Sequence, residues 1–556
     1  MTEKAGSGTA ATTKQPTPHH DAIIIGAGVC GIYQLYRLLQ LDLDVTVLEA
    51  GDGPGGTWYW NRYPGARFDS ESYSYGYSFS RELLDEWDWS EHFAAQPETL
   101  RYLEHVVEKF DLRPHMQFGC KVERATWDEP SGNWVIDLDD GRAFTCRFLL
   151  TAIGLLSAPT MPHYEGMDSF GGLSFHTYNW PHEPVDIEGK RVAVIGTGAT
   201  GVQIIGAIAD RVSELTVLQR RPNWCAPLHN RPITPEEMAD IRSRYDEIFD
   251  RCANTPGGFI HGPVRKKFFE TPVEERQAFW EELYGSPGFG IWLGNFREVL
   301  MDEEANAELS EFVASKIRER VKDPAVAEKL IPNDHGFGVQ RVPMETNYYE
   351  AYNRDNVRLV DISETPIERI TPSGIATTAE QIDVDIIVYA TGFDAITGAF
   401  DRIDFVGRDG MKLRDKWSDN PITYLGLQVA GFPNMITLAG PTGGSVSTNF
   451  PRGIELAVDW ATELMRFMLD NGHHRIETTP EAEQEWTDHV RELYAMLLLR
   501  NAKSWFTGYN SNVDGRDNKR YLIYNGGNPK YRERLEQVAA DHYEGFLFDG
   551  APAGGR

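Results

Sequence analysis

The chain has 556 residues, 41% hydrophobic and 12% aromatic, enough apolar material for several cores and for roughly two to four domains. Its formal net charge of −29 sets up a field that repels polyanions, which excludes nucleic acid and anionic membrane as favoured partners. Five cysteines (Cys30, Cys120, Cys146, Cys225, Cys252) are widely spaced without a CxxC pair, which argues against a disulfide framework or a zinc knuckle and fits a reducing, cytoplasmic compartment.

Residues 1–20, drawn largely from Gly, Ala, Thr, Pro, Lys and His, lack the apolar core of a signal peptide and are expected to form a disordered arm. No run of eighteen apolar residues predicts a membrane span. The apolar β-type run Asp21–Ile25 then leads into Gly26-Ala27-Gly28-Val29-Cys30-Gly31 and a helix-like stretch, so that the helix N-terminus faces a pyrophosphate. The next strand, Val45–Leu48, ends at Glu49, eighteen residues past Gly31, where a carboxylate accepts hydrogen bonds from a ribose diol carrying a bare 2′-hydroxyl. This loop is read as the FAD site. A strand-like run, Phe148–Ile153, breaks at Gly154 and closes a first unit near residue 157.

The pattern repeats at Arg191–Ile195, followed by Gly196-Thr197-Gly198-Ala199-Thr200-Gly201 and a second helix-like stretch. Here the following strand, Leu215–Leu218, runs into Gln219-Arg220-Arg221, where guanidinium groups suit a 2′-phosphate and a carboxylate would repel it. This loop is read as the NADPH site. A single GxGxxG is a weak signal, but two such units ending in opposite charges form a specific pair.

After Asn223 about a hundred residues carry helical signals. Thr234-Pro235-Glu236-Glu237 and Thr271-Pro272-Val273-Glu274 each supply an N-cap, a proline at N1 and an acid at N3, and Leu309, Phe312, Val313, Ile317 and Val321 recur at helical spacing. Strands return at Val357–Val360, at Asp385–Ala390 before Gly392, and at Met435–Leu438, with a helix from Ile454 to Leu469; the C-terminal third is expected to rejoin the first sheet. The predicted fold is α/β: two interleaved dinucleotide-binding, Rossmann-like domains with a helical insertion. Residues 21–157 and 391–549 are assigned to FAD, 158–227 and 337–390 to NADP, and 228–336 to the insertion, with nicotinamide meeting flavin in the crevice between the domains.

Between the loops, Phe170-Gly171-Gly172-Leu173-Ser174-Phe175-His176-Thr177-Tyr178-Asn179-Trp180-Pro181 resembles the FxGxxxHxxxW(P/D) fingerprint of Baeyer–Villiger monooxygenases. Gly55-Gly56-Thr57-Trp58, leading to Tyr63-Pro64-Gly65 and Asp69, is similar to the family's second signature, and the likeness extends to Tyr543–Phe546. The resemblance implies tightly bound FAD, NADPH as reductant with NADP+ retained during the cycle, dioxygen as co-substrate, and a ketone converted to an ester or lactone. Trp180-Pro181 favours ketone oxidation over the amine and sulfide oxidation of related enzymes, which usually carry Tyr or Phe at position 180.

By the same resemblance, Arg341 aligns with the catalytic arginine that keeps a flavin C4a-peroxide anionic and then stabilises the tetrahedral adduct, and Asp69 with the carboxylate that holds it. An arginine suits this task because its charge survives desolvation. Thr57, Trp58, Tyr75 and Val122 are assigned to the FAD site, and Gln340, Arg341 and Trp505 to the NADPH side; Trp505 reads equally as a core aromatic. His176 and Trp180 lie at a domain junction, where a part in domain movement competes with contact to substrate. Relatives often place lysine where Gln340 stands, so the 2′-phosphate rests on Arg220 and Arg221. The stretch Gly440–Glu455 resembles the active-site loop of cycloalkanone monooxygenases, with a length nearer phenylacetone and steroid types, and points to cyclic aliphatic ketones with broad tolerance. The rival readings are an N- or S-oxygenating monooxygenase, a disulfide reductase disfavoured by the absence of paired redox cysteines, and a non-catalytic NADPH-binding sensor. No partner beyond the small-molecule ketone is expected, and no metal; the chain is read as a monomer or weak homo-oligomer.

Overall fold

The structure, a computed structural model, describes residues 17–550. Its first sheet has a parallel core in the order Met116–Gln117, Val45–Leu48, His19–Ile25, Ala143–Thr151, Met435–Thr437. Alternation along the central strand feeds two layers: Ala22 and Ile24 enter one core, Ile23 and Ile25 the other. The long strand Ala143–Thr151 also continues an antiparallel meander with Asn133–Leu138 and Val122–Asp128, and Asp404–Val406 is added parallel to its edge.

The second sheet is wholly parallel, in the order Val357–Asp361, Glu214–Gln219, Arg191–Ile195, Ile386–Tyr389, Leu173–His176. Val192 and Val194 face one core and Ala193 and Ile195 another, the same two-sided burial as in the first sheet. The sheets are therefore Rossmann-like, with the helices Val29–Leu39 and Ala199–Ile208 following their respective glycine loops. The chain passes twice between them, and the two crossings run side by side: the Thr160 amide donates to Gly392 O at 2.9 Å and the Thr391 hydroxyl to Thr160 O at 2.6 Å.

C-terminal residues cover the first unit. Helix Phe450–Asp470 lies on helix Val29–Leu39, where Tyr33 Oη donates to Asp459 Oδ1 at 2.6 Å and Gln34 Nε2 to Thr462 Oγ1 at 3.2 Å. The segment from 228 to 336 is helical, and its ends are clasped by a short parallel pairing of Ala226–Pro227 with Met344–Glu345. Helix Pro235–Ser243 starts with the expected capping box: Thr234 Oγ1 accepts from the Glu237 amide and Glu237 accepts from the Thr234 amide. Helix Glu303–Arg320 buries Leu309, Phe312, Val313 and Ile317 as its spacing predicts.

Two local expectations are corrected. Of the arm expected to be disordered, residues 1–16 lie outside the described residues, whereas His19 and His20 belong to the first strand; the neighbouring strand offers backbone partners at Thr145 and Cys146, and His20 Nδ1 meets Asp44 at 3.1 Å. Thr271 does not cap its helix: Pro272 takes the N-cap position and the Thr271 hydroxyl donates to Lys267 O at 2.8 Å, closing the preceding turn.

Candidate active site

The first glycine loop is shaped by contacts that tolerate no side chain. Gly26 has φ +103°, and a Cβ there would stand 2.5 Å from Ala152 O; a Cβ on Gly31 would collide with Gly26 O. Gly28, the N-cap of Val29–Leu39, makes no side-chain cap, so the amides of that first turn have no side-chain acceptor and suit a pyrophosphate. Cys30 lies buried in this turn and burial pushes its thiol pKa up, which makes it inert filling. The Glu49 carboxylate accepts from the Ala27 amide at 2.7 Å and the Gly51 amide at 2.8 Å, leaving lone pairs for a diol. Burial pushes its pKa up against the pull of those amides. The Cys120 amide donates to Glu49 O at 2.8 Å, so the entry to strand Val122–Asp128 runs beside this turn.

The GGxW signature closes the loop from above. The Gly55 amide donates to Ala27 O at 2.9 Å, and a Cβ on Gly56 would stand 2.8 Å from Gly28 Cα. Thr57 starts the turn Thr57–Trp60, and buried Trp58 donates through Nε1 to Tyr75 Oη at 3.0 Å, with Phe68 stacked on Tyr75 at 4.3 Å. These side chains make one aromatic wall.

The second loop repeats the turn but stays open. Gly196 has φ +109° and a Cβ on Gly201 would collide with Gly196 O, yet a Cβ on Gly198 would meet nothing within 4 Å. Thr197 Oγ1 donates to Arg221 O at 3.0 Å, tying the loop to the end of the next strand, while Ala199 and Thr200 begin the uncapped helix. Arg220 Nη1 donates to Asn512 Oδ1 at 3.1 Å and Arg221 Nη2 to Lys503 O at 3.4 Å. The Arg221 guanidinium and the Lys503 ammonium both approach the Tyr509 ring, at 5.8 and 5.6 Å. Lys503 thus supplies a cation near Arg220 and Arg221; in its stretch, residues 502–508, the sequence reading singled out only Trp505.

The two units meet at Arg341. Its Nη1 donates to Asp69 Oδ2 at 2.8 Å and to Val342 O at 3.0 Å, across 272 residues of sequence in the first case. Asp69 is 3% exposed and also accepts from the Met344 amide at 3.2 Å. Gln203, on the helix of the second loop, donates to Arg67 O at 2.9 Å and accepts from Tyr63 Oη at 2.7 Å, fastening the Tyr-Pro-Gly turn of the first unit to the second. Gly65 is obligatory there, since a Cβ would stand 2.7 Å from Gln203 O. Phe289, from the insertion, lies under Arg341 with the guanidinium 5.6 Å from its ring centroid. Neither Gln203 nor Phe289 carries a motif that sequence could flag. Gln340 is half-buried beside Arg341.

The fingerprint lies on the crossing between sheets. Phe170 packs in the second unit, and a Cβ on Gly172 would stand 2.7 Å from the Phe170 ring. His176 ends the strand Leu173–His176; it is 4% exposed, its Nδ1 accepts from the Tyr178 amide at 3.1 Å, and its Nε2 has no partner. Burial drives its pKa down to about 4, so the ring is neutral. His176 and Tyr178 both stand edge-on to Phe393 on the return crossing, and Tyr178 stacks on Trp60 of the GGxW turn at 5.4 Å. Trp180 is buried against Phe175, with half-buried Pro181 beyond it. Trp505 is half-buried, beside Phe506 at 4.4 Å, in a cluster with Val446.

The loop before helix Phe450–Asp470 is bound to the aromatic wall: Asn449 Nδ2 donates to Ser74 O at 3.1 Å, and Glu455 accepts from the Ser78 amide and hydroxyl, both at 2.6 Å. Two nucleotide cradles joined by a cation held on a buried carboxylate define an oxidoreductase with two dinucleotide sites. In agreement, a family model described as pyridine nucleotide-disulphide oxidoreductase matches residues 23–253.

Full-length comparisons narrow the class. The chain is 49% identical over 541 residues to 2-oxo-Delta(3)-4,5,5-trimethylcyclopentenylacetyl-CoA monooxygenase from Pseudomonas putida, covering 96% of this chain and 99% of the relative. It is 38% identical to a Baeyer–Villiger monooxygenase from Pseudooceanicola batsensis, covering 97% and 98%. A crystal structure of OTEMO in complex with FAD and NADP matches with a TM-score of 0.92 at 49% identity, covering 96% of this chain and 100% of that one. This chain belongs to the Baeyer–Villiger monooxygenases.

Proposed function

We propose that this enzyme holds FAD on the loop Gly26–Gly31 and NADPH on the loop Gly196–Gly201 and inserts one atom of dioxygen next to a ketone carbonyl. Its products are esters or lactones, and its preferred substrates are cyclic aliphatic ketones accepted with broad tolerance. The observation that carries this reading is the Arg341–Asp69 ion pair at the meeting of the two units. Bound FAD, reduced by NADPH, supplies the centre at which dioxygen is activated.

The protein's own contribution is electrostatic. Arginine is the side chain whose charge best survives desolvation, and Asp69, fixed by the Met344 amide, orients Arg341 without competing for all of its donors. The Arg341 side chain is 29% exposed, so donors beyond those given to Asp69 and Val342 remain available to an anionic oxygen and to the carbonyl oxygen as negative charge builds there. The neutral His176 and the paired crossings suit a hinge that lets the units move, which favours a positioning part for the fingerprint. Glu49 selects a bare ribose, and Arg220 and Arg221 select a 2′-phosphate. All five cysteines are free and buried, as suits a reducing, cytoplasmic compartment, and the enzyme is read as a monomer or weak homo-oligomer.

Replacing Arg341 by Ala tests the reading. Loss of one such preorganised donor costs about 3–4 kcal/mol, so ester formation is expected to fall by ~10²–10³-fold while NADPH is still consumed and hydrogen peroxide released. An Arg341→Ala enzyme that still makes lactone at the wild-type rate would refute it; one that loses ketone but keeps sulfide oxidation separates it from S-oxygenation.

A further inference from the structure

A second cationic site lies away from both nucleotide loops. A cavity of about 300 Å³ opens between helix Pro480–Ala495, the turn Leu498–Asn501 and residues 519–521. Arg491, Arg500, Lys519 and Arg520 line it, with Tyr494 and Asn501, and no lining residue is acidic. In a chain with a formal net charge of −29, four cations lining one cavity are conspicuous, and among the described residues only Arg491 of the four has an ion pair, to Asp488 at 3.2 Å on its own helix.

Arg520 is the core of this site. It is 4% exposed, yet among the described residues its only side-chain acceptor is Thr397 Oγ1, at 3.1 Å, and Nε and Nη1 have no partner. Asp394 and Asp401 stand nearby, but Arg516 takes both, Asp394 at 3.3 Å and Asp401 more closely. Burying a guanidinium without its own carboxylate is costly, and the cost is offset if an anion completes the site. The buried Tyr494 hydroxyl also lacks a partner, and so does Arg491 Nε. Lys519 Nζ, on the exposed rim, is held by Arg500 O at 2.9 Å.

We propose that this cavity is an oxyanion site that takes the phosphate or pyrophosphate group of a small molecule. Planar guanidinium forks match phosphoryl oxygens, and the volume sits at the small end of the range for ligand pockets. The site is independent of the NADPH arginines, Arg220 and Arg221, and shares no residue with them. Its wall is continuous with the active-site side, because Tyr494 and Tyr521 pack in the same apolar cluster as Val446 and Trp505. A phosphorylated group held there would anchor a molecule whose other end reaches toward the ketone site.

Titration calorimetry of the flavoprotein, with and without saturating NADP+, tests this with inorganic phosphate, pyrophosphate and coenzyme A as titrants at constant ionic strength. The expected result is saturable one-to-one binding that persists under NADP+ and weakens at least tenfold in Arg520→Gln and in the rim double variant Arg500→Gln/Lys519→Gln, which spares the buried residues. Tighter binding of coenzyme A than of pyrophosphate makes the occupant an organic phosphate; equal binding makes it the free oxyanion. Absence of saturable binding under NADP+, or unchanged affinity in the rim variant, overturns the proposal.

Discussion

The two glycine loops share a turn but differ in how they are completed. In the first, Gly56 closes on Gly28 and the Glu49 carboxylate is fixed by two backbone amides from its own neighbourhood. In the second, Gly198 faces open space and the charged side chains are exposed, steadied by Asn512 and Lys503 from 292 and 282 residues further on. A cradle made of local backbone is preorganised before any ligand arrives, whereas one finished by a distant segment can open and close with that segment. The first suits a cofactor that stays and the second a cofactor that must enter.

The largest expected effect comes from breaking the closed cradle. Gly31→Ala would place a methyl against Gly26 O, backbone that cannot yield, and the purified protein is expected to lose its flavin absorbance; retained stoichiometric flavin would show that the cradle is softer than its geometry.

His176, at the seam between the units, gives a pH signature. The unfolded chain protonates this ring near pH 6.5 and the native one only at about 4, so the unfolded state binds more protons between those values. Its contribution to stability is present above about pH 6.5 and is lost as pH falls toward 4, on the order of 3 kcal/mol at the limit. Denaturant titrations across this window are expected to show a shallower acid loss for His176→Gln; identical slopes would exclude a buried neutral histidine.

Smaller effects probe the open cradle. Arg220→Ala is expected to raise KM about tenfold for NADPH and little for NADH, since one charge-assisted contact to phosphate is lost; equal changes would remove the 2′-phosphate assignment. Gly198→Ala should be the mildest, because a Cβ there meets no protein atom within 4 Å and its φ of −77° strains no residue. Unfolding midpoints are expected to match the wild type, so any rise in KM for NADPH reads how closely the cofactor's pyrophosphate approaches. A large loss of stability would show that the loop is packed after all.

The two glycine turns and their flanking strands were legible because their requirements are local: a tight turn needs glycine, and a buried strand needs an apolar run. The capping box at Thr234 and the apolar stripe from Leu309 to Ile317 were legible for the same reason. Thr271 misled because a threonine before proline satisfies the cap pattern, while the backward bond to Lys267 O depends on a turn that the pattern does not encode. Arg341 and Asp69 were linked only through resemblance, and Gln203, Phe289 and Lys503 had no signal at all.

By itself, then, the amino-acid order determined which segments become nucleotide loops and the sign of the charge each presents, since bond geometry and strand periodicity act over a few residues. Tertiary structure alone decided which cation meets which carboxylate, how the crossings pair, and where Arg520 is left without an acid. Those outcomes depend on side chains hundreds of residues apart arriving at one point, and only the packed sheets bring them there.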